Sequence, residues 1–198
     1  NAALFYTDYN GIQLNFQEGG SPTIANVGDG RIQGAELEVV AEPVDGLTLN
    51  FALGYTDAVY TSLDPAVAVT SGPNALQAGA IVGSTLPKTP EWKINFSPRY
   101  EFDLGNGGSI TLLGDYTFIS EQTNNVERTF VLNRPAVSLL NASIAYRDPE
   151  ERYTVTLGGT NLTDERYVAS GTAIPAFGAI IGQFSRPTEW YLRMGFKF

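Results

Sequence analysis

The stretch from Glu189 to Phe198 constrains the fold of this chain more than any other. Every second residue in it is apolar, and tyrosine, charged residues or glycine fill the positions between. The apolar members are Trp190, Leu192, Met194, Phe196 and Phe198. Successive side chains of a β-strand point to opposite faces of its sheet, so this period of two predicts a strand with one wholly apolar face. Either a protein core or lipid must cover such a face.

The same alternation recurs along the chain, most clearly in residues 47–55 and 92–104. In the second of these segments, Arg99 lies on the polar side near the middle. An arginine facing lipid at the membrane midplane costs about 2 to 4 kcal/mol, so the polar face must line a lumen or meet water. A break in the alternation near Asn10 and Gly11 predicts a β-bulge. Further predicted strands cover about 2–16, 31–42, 110–118, 140–146, 153–160 and 189–198.

The connections between these predicted strands alternate in length. Short turns are predicted at 43–46, 104–108 and 147–152, and long loops at 17–30, 61–86, 120–135 and 168–185. Outer-membrane barrels combine short periplasmic turns with longer extracellular loops. The pattern therefore predicts an all-β fold, an antiparallel transmembrane β-barrel, with about eight strands in this chain.

Composition excludes several other classes of protein. No apolar run approaches the roughly 18 residues of a membrane-spanning helix, and the mean hydropathy is -0.08. The chain contains neither Cys nor His, which removes disulfides, the usual general base and the commonest transition-metal ligand. A net charge of -9 without a dense Lys/Arg cluster argues against nucleic-acid binding. We therefore expect no cofactor and no nucleic-acid partner.

Three stretches carry a specific resemblance: residues 34–38, 160–167 and 187–198. Together they resemble the C-terminal barrel of TonB-dependent receptors, the ligand-gated importers of the bacterial outer membrane. The run from Asn161 to Tyr167, followed later by a terminal Phe198, is the most specific of the three. The Gly-x-Glu-x-Glu pattern in the first stretch would be a weak signal alone.

The resemblance covers all of residues 1–198 but only the C-terminal part of such a receptor. It implies a larger, 22-stranded barrel whose N-terminal plug and earlier strands are absent from this chain. The implied function is uptake of a scarce ligand, such as an iron-siderophore complex, across the outer membrane of a Gram-negative bacterium. The implied partners are outer-membrane lipid and lipopolysaccharide, the barrel-assembly machinery, an unidentified small-molecule ligand, and the TonB complex through the missing N-terminal part.

Candidate site residues follow from the polar faces and from the last strand. We expect six charged residues to line the lumen, as a solvated wall with some ion pairs: Glu36, Glu38, Lys93, Arg99, Asp115 and Arg193. The resemblance assigns Trp190, Phe196 and Phe198 to the barrel-assembly signal. Residues 164–166 are expected to order the exit of a strand, and the long loop 65–83 to contact ligand because of its length and position.

Two other functions remain open at this point. One is a small closed barrel of about eight strands that anchors or adheres, with side chains filling its interior. Pairing of the first strand, Ala2 to Phe16, with the last, Glu189 to Phe198, would favour that closed barrel over a receptor. The other is an outer-membrane enzyme, which would need catalytic carboxylates or serines. No convincing catalytic pair occurs, so we predict that the chain is not an enzyme.

Overall fold

The computed structural model describes residues 1–18, 20–64 and 79–197. Antiparallel strands dominate the described chain, and two short 3-10 turns, Phe130–Leu132 and Pro175–Phe177, lie in its connections. The strands are β1 (Ala2–Glu18), β2 (Ser21–Val44), β3 (Leu47–Leu63), β4 (Trp92–Asp103), β5 (Ser109–Ile119), β6 (Val137–Arg147), β7 (Tyr153–Thr160), β8 (Val168–Ile174), β9 (Ala179–Phe184) and β10 (Glu189–Phe196). In these ranges no helix is long and apolar enough to cross a membrane.

Eight of the strands form one sheet in the order β1-β2-β3-β4-β5-β6-β7-β10, and β8 and β9 form a separate hairpin. The last strand therefore pairs with β7 across the inserted hairpin, with Leu192 opposite Leu157. Strands β1 and β10 are the two ends of the sheet and do not pair with each other in the described ranges. The prediction of an all-β antiparallel barrel wall is confirmed, and the closed eight-stranded alternative is not.

The register of the sheet separates an apolar face from a polar face. Phe51 lies opposite Phe96, which lies opposite Tyr116, and Leu112 and Ile144 form a similar pair. Phe96, Leu112, Tyr116 and Ile144 are all partly exposed, and Trp190 and Phe196 on the last strand of the sheet are 69% and 67% exposed. A monomeric protein rarely leaves so large an apolar surface in water.

Aromatic pairs lie near both ends of this apolar face. The rings of Tyr55 and Trp92 are 4.7 Å apart at the end where the long connections lie. Tyr100 and Phe102, with rings 4.3 Å apart, lie toward the end with the short turns. Interfacial aromatic girdles flank the lipid-facing band of membrane barrels. The spacing of these pairs therefore marks where a membrane would begin and end.

Two predicted loops are folded as strands, which corrects the sequence analysis. Residues 17–18 and 21–30 belong to paired strands, because β1 continues to Glu18 and β2 begins at Ser21. Part of residues 168–185 forms the β8–β9 hairpin. A membrane-crossing strand needs about 9 to 11 residues, so β2, with 24 residues, projects well beyond that length. Both faces of the projecting part lie outside lipid, and apolar alternation is not needed there.

The predicted bulge in β1 is confirmed. The register between β1 and β2 shifts between Tyr9 and Ile12, and again between Ile12 and Gln13. Gly11, between these residues, has a φ of 68°, a left-handed conformation that glycine adopts without strain. Its backbone N–H donates to the Asp29 carboxylate at 2.9 Å. The bulge thus places Ile12 where it can pack into a small core.

That core lies at the long-connection end, where β3 and the returning loops meet. Its buried members are Ile12, Ala58, Tyr60, Ala80, Leu86 and Val126. Tyr60 is the largest of them, and burial together with the nearby Glu127 carboxylate raises its pKa to about 12. Beyond the Tyr55–Trp92 pair, therefore, a packed core holds the protein together, whereas the rest of the sheet presents its apolar face outward.

Candidate functional site

The six charged residues predicted to line the lumen all lie on the polar face of the sheet. Glu36 is opposite Gly54, and Gly54 is opposite Lys93, so these three positions form one row across β2, β3 and β4. The same register places Glu38, Arg99, Asp115 and Arg193 on this face.

Glu36, Glu38 and Lys93 line one shallow depression of about 440 Å³ on that face. The two glutamates are separated by one residue on the same strand, as expected for a strand period of two. In the described ranges, no group of three or more His, Cys, Asp or Glu side chains is arranged to hold a metal ion, and Lys93 forms no salt bridge. The three side chains thus share one open depression on the polar face.

Arg99 belongs to an ion-pair network near the short turns. Its guanidinium contacts the carboxylate of Glu101, which also accepts a hydrogen bond from Arg147 at 3.1 Å. Arg147 bonds the Glu151 carboxylate at 2.7 Å, so the network joins β4, β6 and the turn after β6. These side chains are partly exposed, and each such pair contributes about 0 to 1 kcal/mol. The network therefore adds little to the free energy of unfolding, but it links β4 to β6 and to the turn that follows β6.

Asp115 is held by neutral donors instead of by a cation. Its carboxylate accepts hydrogen bonds from the Ser97 hydroxyl at 2.6 Å and the Asn95 amide at 2.9 Å. The Asn141 amide donates to it at 3.1 Å from the other neighbouring strand. Asp115 forms no salt bridge within the described ranges. Three donors from two strands satisfy a carboxylate without a partner charge, and they tie β4, β5 and β6 together on the polar face.

Arg193 on β10 also lacks an acidic partner in the described ranges. Its guanidinium instead lies 5.5 Å from the ring centroid of Tyr191, a cation-π contact on the same face. Of the assembly residues, Trp190 and Phe196 lie on the apolar face opposite Gly159 and Tyr153. Phe198 lies outside the described residues.

Sequence reasoning missed a cavity of about 660 Å³ at the long-connection end, which we call the outer cavity. Residues 56–58 of β3, the segment 85–91 and the segment 120–135 surround it. A two-stranded bridge between Gln122 and Arg134 closes the base of the 120–135 segment. That segment was predicted only as an irregular connection, because none of its residues matches a known binding motif.

Part of the loop predicted to contact ligand, residues 65–78, lies outside the described residues. Its returning end is described and packs beside the outer cavity. The Gly79 N–H donates to the Glu127 carbonyl at 2.9 Å, and Ala80 is buried in the small core. The two long connections therefore meet at one place.

The run from Asn161 to Tyr167 after β7 is organised by Asn161, which is buried and has a φ of 49°. Its side-chain amide donates to the carbonyls of Glu165 at 3.0 Å and Arg186 at 2.9 Å. Its side-chain oxygen accepts the Glu165 N–H at 3.0 Å, and its backbone N–H donates to the Asn141 side chain at 2.9 Å. Asn161 thus joins the first half of β6 and the end of β7 to the segment that leads into β10, whereas residues 164–166 were predicted to order the exit of the strand.

The sheet is antiparallel, has an outward apolar face and carries aromatic bands at both rims. Short turns lie at one of its ends and long connections at the other. These features together define the wall of a membrane β-barrel. Residues 1–162 match the family described as TonB dependent receptor-like, beta-barrel. The chain belongs to this family, whose members are outer-membrane β-barrel proteins.

Solved structures agree with this fold. The ferric yersiniabactin uptake receptor FyuA from Yersinia pestis superposes with a TM-score of 0.73 at 19% identity, over 98% of this chain and 26% of that one. The siderophore receptor PiuA from Acinetobacter baumannii gives 0.71 at 19% identity, over 100% and 26%. The copper transporter OprC gives 0.66 at 18% identity, over 100% and 28%. This chain thus spans about a quarter of each, and at such identities the likeness shows the fold alone.

Proposed function

We propose that the chain is the C-terminal part of the barrel of an outer-membrane TonB-dependent transporter that takes up a scarce ligand, such as an iron-siderophore complex, in a Gram-negative bacterium. The observation that carries this proposal is the eight-stranded sheet, apolar on one face and open at both ends, in a chain of this family. Receptors for ferric siderophores share its fold. A copper transporter shares it as well, so the fold does not select the ligand.

The open ends of the sheet support the proposed domain organisation. Unpaired backbone groups cannot face lipid, because nothing there satisfies their hydrogen bonds. Strands β1 and β10 therefore need partners, which we propose are earlier strands of a 22-stranded barrel. An N-terminal plug would fill that barrel and carry the contact with the TonB complex. Residues 1–198 would supply lipid-facing wall, polar lumen wall and outer loops.

In this proposal the chain carries no chemistry. The polar-face charges would form a wetted wall along the ligand's path, and the apolar face would contact lipid and lipopolysaccharide. The outer cavity and the loops around it would contact the incoming ligand, because this proposal places them at the extracellular end of the barrel.

Uptake that depends on TonB tests the function. We expect cells that produce the full-length protein to accumulate a radiolabelled ferric siderophore, from a panel that also includes copper, at least about tenfold more than cells lacking its gene. Disrupting TonB should return uptake to the background, because opening of a plugged barrel requires energy from the inner membrane. Uptake that persists without TonB would refute the transport assignment.

The assembly role of the last residue can be tested separately. We expect Phe198→Ala to reduce the amount of folded protein in the outer membrane several-fold, because the terminal aromatic residue is proposed to engage the barrel-assembly machinery. Phe184→Ala is the matched control, since Phe184 is an exposed phenylalanine of the β9 hairpin. The measurement is the folded fraction in outer-membrane extracts. Equal loss in both variants would indicate a general effect of removing an aromatic side chain.

A further inference from the structure

The outer cavity contains a buried positive charge that forms no salt bridge within the described part of the chain. Arg134 is 9% exposed, and in the described ranges no carboxylate forms a salt bridge with it. One of its terminal nitrogens donates to the Ser120 carbonyl at 3.2 Å, and its guanidinium carbon lies 5.9 Å from the Tyr167 ring centroid. Burial lowers the pKa of Arg134 below its ordinary value. A buried cation held only by a carbonyl and a ring remains costly until an anion joins it.

Unsatisfied polar atoms converge on the same cavity. Six buried side-chain polar atoms lack a hydrogen-bond partner in the described part of the chain, and four of them belong to residues that line it. These four are Thr123 Oγ1, Arg128 Nε, Asn133 Oδ1 and Arg134 Nε. Buried polar groups are nearly always paired, so a cluster of unpaired ones calls for an explanation. Three of the four are hydrogen-bond donors, and two of those carry positive charge.

The acidic residues that line the cavity form no salt bridge with these arginines in the described ranges. Asp57 accepts hydrogen bonds from Arg31 and from Gln33, each at 2.9 Å, so its charge is already paired. Glu91 and Glu121 are exposed to water at the rim. Solvent screens charges at exposed positions far more than buried ones. Among the charged residues that line the cavity, Arg128 and Arg134 are the ones that are at least partly buried and form no salt bridge in the described ranges.

We propose that the outer cavity binds an oxyanion group of the ligand, a carboxylate or a phosphate, through Arg134 and Arg128. The fork of an Arg guanidinium matches the two oxygens of such a group, and charge-assisted hydrogen bonds of this kind are among the strongest in proteins. A volume of about 660 Å³ is ample for a small anionic ligand. The inference rests on the proposed function, since it names the charge of the group that the receptor captures.

Citrate and inorganic phosphate are suitable probes, titrated calorimetrically into the full-length protein in detergent at constant ionic strength. We expect at least one of them to bind with a Kd of about 1 mM or tighter. Arg134→Gln and Arg128→Gln should each weaken binding about tenfold or more, because each removes a charged donor. Thr123→Val should weaken it less. Arg186→Gln is the matched control, since the Arg186 side chain is exposed and pairs with Glu189.

Absence of binding of both probes to the wild-type protein would overturn this inference, and so would equal binding by the two cavity variants. If Arg134→Gln fails to fold, Arg128→Gln decides, because Arg128 is only partly buried. Failure here is distinguishable from failure of the transport assignment. TonB-dependent uptake without anion binding would support the transport assignment and exclude the oxyanion site. Anion binding without TonB-dependent uptake would support the oxyanion site and exclude the transport assignment.

Discussion

Replacement of Phe96 by arginine is expected to destabilise the barrel by about 2 to 4 kcal/mol, the cost of placing a charge on a lipid-facing strand near the membrane midplane. Phe96 lies on the apolar face, is 39% exposed, and is four residues from both Trp92 and Tyr100 at the two rims. The loss of the phenylalanine side chain from lipid adds to this cost.

Ala52→Arg is the matched control. Ala52 pairs with Asn95 on the polar face and lies opposite Glu38, so an arginine there would meet water and a carboxylate. We expect this variant to remain within about 1 kcal/mol of the wild type. Equilibrium unfolding by urea of the full-length protein, refolded into lipid vesicles, provides the measurement. Similar destabilisation by both arginines would show that the apolar face does not meet lipid.

The second large effect is expected at Asn161. Asn161→Gly should destabilise the protein by about 3 kcal/mol, because it leaves the Glu165 and Arg186 carbonyls without their buried donor. Glycine accepts the positive φ of this position, so that variant isolates the lost hydrogen bonds. Asn161→Ala should cost about 1 kcal/mol more, since alanine is strained in the left-handed conformation.

The same unfolding experiment separates the cost of the lost hydrogen bonds from the cost of backbone strain. Asn15→Ala serves as the control, because Asn15 is exposed and its side chain makes no hydrogen bond within the described ranges. A wild-type unfolding midpoint for Asn161→Gly would mean that the joint between β6, β7 and β10 does not depend on this amide. A smaller loss in Asn161→Ala than in Asn161→Gly would show that the backbone at this position is not strained.

Prediction from sequence succeeded where the membrane imposes a pattern. Lipid contacts every second residue of a spanning strand, so β4, β5, β7 and β10 carry a visible period of two in the sequence. The assignment of Arg99 and Arg193 to the polar face followed from the same period. Their individual partners could not be predicted, because an arginine on that face meets a carboxylate, a ring or water according to which strand lies beside it.

Prediction failed where the chain leaves the membrane. Residues 21–30 were assigned to a loop, yet they pair with β1 through backbone hydrogen bonds that leave no mark on the choice of side chains. The position of Asn161 in the sequence gave no hint of its role. It bonds the nearby Glu165, but its other partners, Asn141 and Arg186, are 20 and 25 residues away in the sequence. The outer cavity was missed for the same reason, since two long connections form it together.

The sequence by itself determined which side of each spanning strand is apolar and at which end the short turns lie, because lipid and water sort side chains locally, residue by residue. Only the tertiary structure decided that β10 passes the β8–β9 hairpin to pair with β7, that Asn161 fastens this return, and that the unpaired groups of Thr123, Arg128, Asn133 and Arg134 face one cavity. These features depend on contacts between segments far apart in the chain, and no local pattern of residues encodes such contacts.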